Sequence, residues 1–381
     1  MNDWQRIRLG DAIELFDHIR VPLNSRERET RPGPFPYYGA QGVIDHIDGF
    51  LFEGRYLLIP EDGENLNSRK QPIAFFAEGK FWVNNHAHIV RARTGVADDV
   101  FLKQWLNNAD IRPYVTGAAQ PKLSQANLRR IEILLPPLHI QCRIASILGA
   151  YDELIEVNRR RIALLEEMAR RLFEEWFIHF RFPGHEDIAL VETPDGPLPK
   201  GWQRCPLEEM LVLQRGFDLP SSKRREGPYP VISASGKHGT HSEAKVQSPG
   251  IVTGRSGTIG NVMIVHEDHW PLNTTLYIRE FRKAPPAYAL HLLRGLDLAS
   301  RRGGAAVPTL NRNHLHNVPV VCPPADLIAR YERVALTQLR AAHVMQQQQV
   351  ALAASRDLLL PRLVSGELSI GTAERELEAV A

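Results

Sequence analysis

Two stretches dominate the pattern of apolar and polar positions along the chain, residues 136–177 and 323–364. Each opens on a Pro-Pro pair, Pro136-Pro137 and Pro323-Pro324. In the first, Ile140, Ile144, Ile147, Tyr151 and Leu154 recur at three- and four-residue steps, and a second seam runs through Ile155, Ile162, Leu165, Ala169, Leu172 and Trp176. In the second, Leu327, Tyr331, Val334, Ala341, Met345, Leu352 and Leu359 keep the same rhythm. That spacing predicts long helices that pair with another helix. Proline suits the first turn, where its missing N–H would have no partner. A helix of about 40 residues is roughly 60 Å long, the length of a spacer rather than of a domain interior. Asn158, Gln338 and Gln348 fall on the stripes. Each either fixes the register of a coiled coil or marks a place where water reaches the seam.

The chain also repeats itself. Trp4-Gln5-Arg6 with Leu9 recurs as Trp202-Gln203-Arg204 with Leu207, an offset of 198. Gly33-Pro34-Phe35-Pro36 recurs as Gly227-Pro228-Tyr229-Pro230, and Gly39-Ala40-Gln41-Gly42 aligns with Ser233-Ala234-Ser235-Gly236, both at 194. Residues 57–63 align with 251–257 at the same 194. Gln120-Pro121-Lys122-Leu123 aligns with Val307-Pro308-Thr309-Leu310 at 187, as do the Pro-Pro pairs. The offset only falls, as it does when small insertions separate two copies of one unit.

Within each copy, short β-rich runs are expected at 56–59, 72–77 and 81–93, and again at 250–253, 261–266 and 272–281. A helix near 100–107 or 287–296 follows, then a strand at 130–135 or 317–321 that leads into Pro-Pro. The class is α+β: two similar domains separated by two long antiparallel helices, with a pseudo-two-fold internal repeat. The expected boundaries are 1–136 and 202–322 for the domains, 137–180 and 323–366 for the spacers, and 181–201 for a linker. Residues 187–201 are rich in Pro, Gly and acidic side chains, as linkers are. The expected C-terminal tail is 367–381, and after Gly371 it carries no folding signal beyond weak helix propensity and reads as frayed.

Composition narrows the class. No apolar run is long enough for a membrane span, and the first residues lack the apolar core of a signal peptide. The three cysteines, Cys142, Cys205 and Cys322, are scattered. Neither a disulfide framework nor a zinc site is indicated, and a cytoplasmic protein is expected. The net charge of +2 is close to neutral, so nucleic-acid binding depends on where Lys and Arg gather.

A search for catalytic chemistry finds little. There is no Walker loop. Gly254-Arg255-Ser256-Gly257-Thr258-Ile259-Gly260 lacks dinucleotide-binding spacing and reads as a tight turn that brings backbone N–H groups and Arg255 to the surface. His86-Ala87-His88 could share a strand face and hold a metal. With no acidic or Cys cluster beside it in sequence, ordinary polar or packing histidines are the better reading. Ser256 is outside a nucleophile elbow, and Asp62 with Glu64 reads as exposed turn. What remains are basic and aromatic residues at turns. The first domain has Tyr37-Tyr38, Arg69-Lys70, Lys122, Arg129 and Arg130; the second has Arg215, Lys223-Arg224-Arg225, Lys237, Arg255 and Arg301-Arg302. Such clusters on two turn-rich domains favour duplex DNA.

These residues resemble the specificity subunit of type I restriction–modification systems. The carriers are the two Trp-x-x-x-x-Leu openings, Tyr38 to Gly42, Asn84-Asn85-His86-Ala87-His88, Gly254 to Asn261, Ile133 to Pro137 with Gln141, and Leu172 to Phe177. Leu359-Leu360-Pro361-Arg362-Leu363-Val364-Ser365-Gly366-Glu367-Leu368 is the most specific. The resemblance covers nearly the whole chain and implies two target-recognition domains, each reading half of a split DNA sequence. It implies helices that set the spacing and dock two methyltransferase (modification) subunits, a restriction subunit (translocase/endonuclease) in the full complex, and no catalysis or cofactor in this chain. The candidate DNA-contacting residues are Tyr38, Gln41, Arg69, Lys70 and Lys122 in the first domain and Ser235, Lys237, Arg255, Ser256 and Thr258 in the second. The alternatives are a stand-alone DNA-binding scaffold or regulator, a self-contained methyltransferase, and a scaffold that binds no nucleic acid and whose function is the rod; for the methyltransferase the chain shows neither a methyl-donor pocket nor an acidic or Asn-Pro-Pro catalytic turn.

Overall fold

The computed structural model describes residues 4–117, 120–301 and 308–378. Arg302 and Val307, both named above, lie outside them. The fold is α+β, with two similar domains and two long antiparallel helices. The chain divides into two compact units, residues 1–156 with 350–381, and residues 157–349.

In the first unit the opening strand Gln5–Arg8 pairs antiparallel with Glu132–Leu135, which leads into Pro136-Pro137. A six-stranded sheet follows, in the order Ile13–Leu15, Ala87–Ala92, Phe52–Pro60, Phe75–Val83, Pro32–Gly39, Gly42–Ile47. Its one parallel contact sets Tyr37 beside Trp82. The second unit repeats the plan. Gln203–Pro206 pairs with Pro319–Cys322, and Tyr229–Ser233 runs parallel to Trp270–Pro271, so that Val231 meets Trp270. Here the sheet is split. Val262–Val265 pairs with Gly250–Gly254, while Trp270–Pro271 joins a separate three-stranded sheet. The repeat of Gly-Pro at Gly33 and Gly227 has a steric cause. A Cβ on Gly33 would stand 2.4 Å from Asp48 Cα, and one on Gly227 would stand 2.4 Å from Ser242 Cα.

The sequence pattern runs strands through two turns that the structure breaks. The run expected at 81–93 ends at Val83, turns through Asn84-Asn85-His86 and restarts at Ala87. The run expected at 272–281 begins only at Thr275. Tyr37 and Tyr38, expected near turns, lie inside a hairpin strand.

The first long helix spans Leu138–Phe173 and ends in a π-helical turn, Glu174–Ile178; the second spans Ala325–Val364. Within the first unit, Ile144, Ile147 and Tyr151 share a core with Leu352, Leu359 and Leu363. Within the second, Tyr331 donates its hydroxyl hydrogen to the Ala169 carbonyl (3.1 Å) amid Phe173, Phe177 and Tyr288. The apolar stripe differs from the expected one at Val334, which is exposed; Ala335, Leu339 and Ala342 are buried instead. With Leu327, Ile328 and Tyr331 facing the core, the 3.6-residue period carries 335 and 339 inward and turns 334 about 100° away. Asn158 is buried and Gln348 is exposed, so only the former sits in the seam. The described residues of the tail are not frayed. Ile370–Glu378 forms a helix with Ala373 buried, and Glu374 accepts three hydrogen bonds from the Arg143 guanidinium in the first unit.

Candidate nucleic-acid interface

Four turns meet at the same place in each copy. In the first they are the hairpin tip Gly39–Gly42 and the turns at 60–63, 84–86 and 120–123. The Glu61 N–H donates to the His86 carbonyl (2.8 Å), and the Leu123 N–H donates to the Glu61 carbonyl (2.8 Å). Asp62 and Lys122 form an antiparallel bridge. The Asn84 N–H donates to the Tyr38 carbonyl (3.0 Å), which ties the hairpin tip to the cluster. In the second copy the Arg255 N–H donates to the Thr274 carbonyl (2.9 Å), and the Leu310 N–H donates to the Arg255 carbonyl (2.9 Å). Ser256 and Thr309 form the bridge, and the Leu272 N–H donates to the Ile232 carbonyl (2.8 Å). The frame is therefore shared, and it equates Glu61 with Arg255, Asp62 with Ser256, His86 with Thr274 and Lys122 with Thr309.

Side chains at those equated positions differ. In the first copy His86 Nδ1 lies 2.7 Å from an Asp62 carboxylate oxygen, and the backbone N–H of His86 donates to the Asn84 side chain (2.8 Å). Glu61 is held between Arg20 (2.9 Å) and Lys122 (3.3 Å). Beneath lies His88, fully buried. Its Nδ1 is 2.6 Å from Asp17 and its Nε2 is 2.7 Å from the Leu123 carbonyl, an arrangement two N–H donors satisfy. Burial raises the Asp17 pKa, but the hydrogen bond and charge of His88, the Ile89 N–H and Arg20 outweigh it and leave the pKa below the ordinary value. Asp17, Glu61 and His88 lie close enough to hold a cation. Arg20 supplies that charge, bridging both carboxylates. The two histidines of His86-Ala87-His88 thus go to separate acids, from residues 62 and 17, which local sequence gives no reason to expect.

Of the candidates named from sequence, Gln41 is exposed at the hairpin tip, and Lys122 is exposed and paired with Glu61. Tyr38 is half-buried and packs edge-on against Phe81 (5.6 Å), and burial raises its pKa. Arg69 requires correction as a surface contact. Its Nη2 donates to the carbonyls of Leu106, Asn107 and Ala109, closing the end of the helix Asp99–Asn108, and burial lowers its pKa. Lys70 beside it is exposed, on a loop outside the four turns. In the second copy Ser235 is exposed at the hairpin tip, with Lys237 exposed on the strand that leaves it. Arg255, Ser256 and Thr258 sit in the turn that crosses Thr274, where Arg255 reaches the Asn273 carbonyl (3.5 Å). Arg215 is committed to Asp218 (3.0 Å).

Sequence reasoning missed Glu61, Arg20 and the pairing of Asp62 with His86. One signal was present: Asn85 and Asn273 recur at an offset of 188, next to the residues that differ most.

Comparisons with known proteins agree with this plan. Residues 1–167 match the family model described as type I restriction modification DNA specificity domain. A putative type I restriction enzyme specificity subunit of Haemophilus influenzae is 36% identical over 146 residues, 38% of this chain and 37% of that protein. The MjaIX specificity subunit of Methanocaldococcus jannaschii is 25% identical over 278 residues, 67% of this chain and 64% of that protein. The chain thus spans between about a third and two thirds of the length of these relatives. The S subunit of a type I restriction–modification system from M. genitalium shares the fold with a TM-score of 0.68 at 18% identity, over 95% of this chain and 96% of that one. Among the described residues no helix is long and apolar enough to cross a membrane. Residues 1–167 thus match the type I restriction modification DNA specificity domain, and the solved S subunit shows the same duplicated fold over nearly the whole chain.

Proposed function

We propose that this chain is the non-catalytic sequence reader of a cytoplasmic type I restriction–modification complex, each domain reading one half of a split duplex target. The observation that carries this reading is the doubled frame of four turns, bonded alike in both copies and furnished with unlike side chains. Identical frames suit two reading heads; unlike side chains suit two different half-sequences. Gln41 and Lys122 in the first head, and Ser235, Lys237, Arg255, Ser256 and Thr258 in the second, are the proposed contacts. The long helices set the separation of the half-sites and receive two modification subunits, and a restriction subunit completes the assembly. Apolar side chains turned to solvent on those helices, Leu164 and Met168 on the first and Val350 and Leu358 on the second, give such subunits a surface to cover.

Binding of random duplexes by the purified chain across a salt series, followed by sequencing of the bound fraction, tests the reading. It requires a two-part sequence with a fixed gap and affinity that falls steeply with salt. Inserting four residues into both helices, roughly 6 Å of rise, lengthens the tolerated gap. Binding with no two-part preference, or a gap unchanged by the insertion, refutes the role. Arg255→Ala impairs recognition of one half only.

A further inference from the structure

His86 stands at the centre of the first turn cluster, 48% exposed, yet it is held on every side the protein can reach. Its main chain is fixed at both ends: its N–H donates to the Asn84 side chain, and its carbonyl accepts from Glu61. Its ring is fixed by Asp62, whose carboxylate lies 2.7 Å from Nδ1. An ionised carboxylate only accepts, so Nδ1 carries a hydrogen toward Asp62; in the neutral form of the ring, Nε2 is then a bare lone pair. Among the described residues Nε2 has no protein partner. An exposed side chain gains nothing in stability from being so constrained, and most surface ion pairs contribute little. A ring with its tautomer set and its acceptor edge free is suited to reading a donor.

Resting on the DNA-reading role proposed above, we infer that the Asp62–His86 pair is the base-selecting element of the first head. It takes an exocyclic amino group, adenine N6 or cytosine N4, on the edge of a base in the major groove. Guanine and thymine present only acceptors at the corresponding position, O6 and O4. An acceptor facing the Nε2 lone pair leaves both groups unsatisfied. The acidic neighbours support the choice. Glu61 and Asp62 occupy the places that Arg255 and Ser256 hold in the second head, so the first cluster is the worse place for a phosphate and the better one for an N–H donor. Glu61 itself is occupied by Arg20 and Lys122, which leaves the Asp62–His86 pair to face the base.

The test uses the full chain and sequences selected from random duplexes, followed by titration of the selected duplex in mildly alkaline buffer. The wild-type chain prefers adenine or cytosine roughly tenfold at one position of the first half-site, and which of the two is preferred identifies the base. His86→Ala and Asp62→Ala each erase that preference at the same position and leave the second half-site intact, which also reports that the chain is folded. Deleting the amino group of that base, with purine in place of adenine or pyrimidinone in place of cytosine, weakens wild-type binding roughly tenfold and leaves His86→Ala unchanged. A purely structural pair would lower affinity for every sequence and leave the preference in place. A two-part preference that survives His86→Ala at every position overturns this inference alone. Absence of any two-part preference in the wild type overturns the DNA-reading role beneath it.

Discussion

The two heads bury opposite chemistry under the same frame. Strand pairing sets Ile59 against His88 in the first copy and Thr253 against Leu276 in the second, so a buried imidazole occupies one site and a buried leucine its equivalent. Around His88 stand Asp17, Arg20, Glu61 and Lys122, a connected set of charges running from the interior to the turn. Around Leu276 the second copy is apolar, with Ile251, Ile278 and Leu213 in the same core. A fold that accepts either solution does not need the charges for its architecture. In the first copy they connect the core to the turn that carries Asp62 and His86; in the second, backbone bonds together with the Arg255 and Thr274 side chains hold the turn, without buried charges.

The largest test of that contrast is His88→Leu, which gives the first copy the second copy's residue. It strands Asp17 without its main partner, and breaking a buried pair costs on the order of 3 kcal/mol. Chemical denaturation should show that loss in the transition of the first unit. Adding Asp17→Ala should recover most of it, because Arg20 keeps Glu61. If His88→Leu alone is neutral, the charges are ornamental and the comparison fails.

Next in size is a contrast that should vanish. Gly33 and Gly227 face the same obstruction, the Cα of the residue just past the neighbouring strand, 2.4 Å from where a Cβ would stand. Gly33→Ala and Gly227→Ala should each cost about 2–3 kcal/mol, since a backbone atom yields poorly to overpacking. Unequal losses would show that the two hairpins are only superficially alike.

Acid should separate the copies in the opposite sense. His266 in the second unit is pushed down to about 4 by burial, reinforced by the neighbouring His343 and opposed by Glu267. Burial likewise lowers His269 and His316. A histidine whose folded pKa lies below its unfolded value of 6.5 contributes stability above that value and loses it as the pH falls toward the folded one. Asp17, depressed from 3.8, keeps its contribution until the pH falls below that ordinary value. Amide exchange followed from neutral pH to pH 4 should therefore show the second unit loosening first. Loosening of the first unit ahead of it would contradict the assignment of its buried charges.

How much of this was legible follows from distance along the chain. The helices and the repeat are written in local periodicity and in matched short motifs, and both are present where the pattern places them. The turn at Asn84-Asn85-His86 was not legible, because His88-Ile89-Val90-Arg91 alternates like a strand and nothing local marks where that strand begins. The charge cluster was not legible because Asp17 and His88 lie 71 residues apart. Only the pairing of Ile13–Leu15 with Ala87–Ala92 brings them together. Arg69 misled for the same reason. Arg69-Lys70 looks like a basic turn, and nothing local reveals that the carbonyls at 106–109 need a donor.

A smaller effect tests whether the second copy's apolar solution is complete. Thr253 occupies the place of Ile59, and its hydroxyl is buried without a partner, whereas the neighbouring Thr275 hydroxyl donates to the Leu272 carbonyl (2.7 Å). A buried hydroxyl that has lost water and gained nothing destabilises the fold. Replacing it by a methyl of similar shape removes that cost. Thr253→Val should therefore stabilise the second unit by about 1 kcal/mol, read as a raised denaturation midpoint with an unchanged slope. The reverse change in the first copy, Ile59→Thr, should destabilise by a similar or larger amount, because it removes apolar contact as well. If Thr253→Val instead weakens the unit or alters DNA selection at the second half-site, the hydroxyl has a partner in solution. The second head would then also hold a polar link between its core and its turn, and the contrast between the heads would be one of degree.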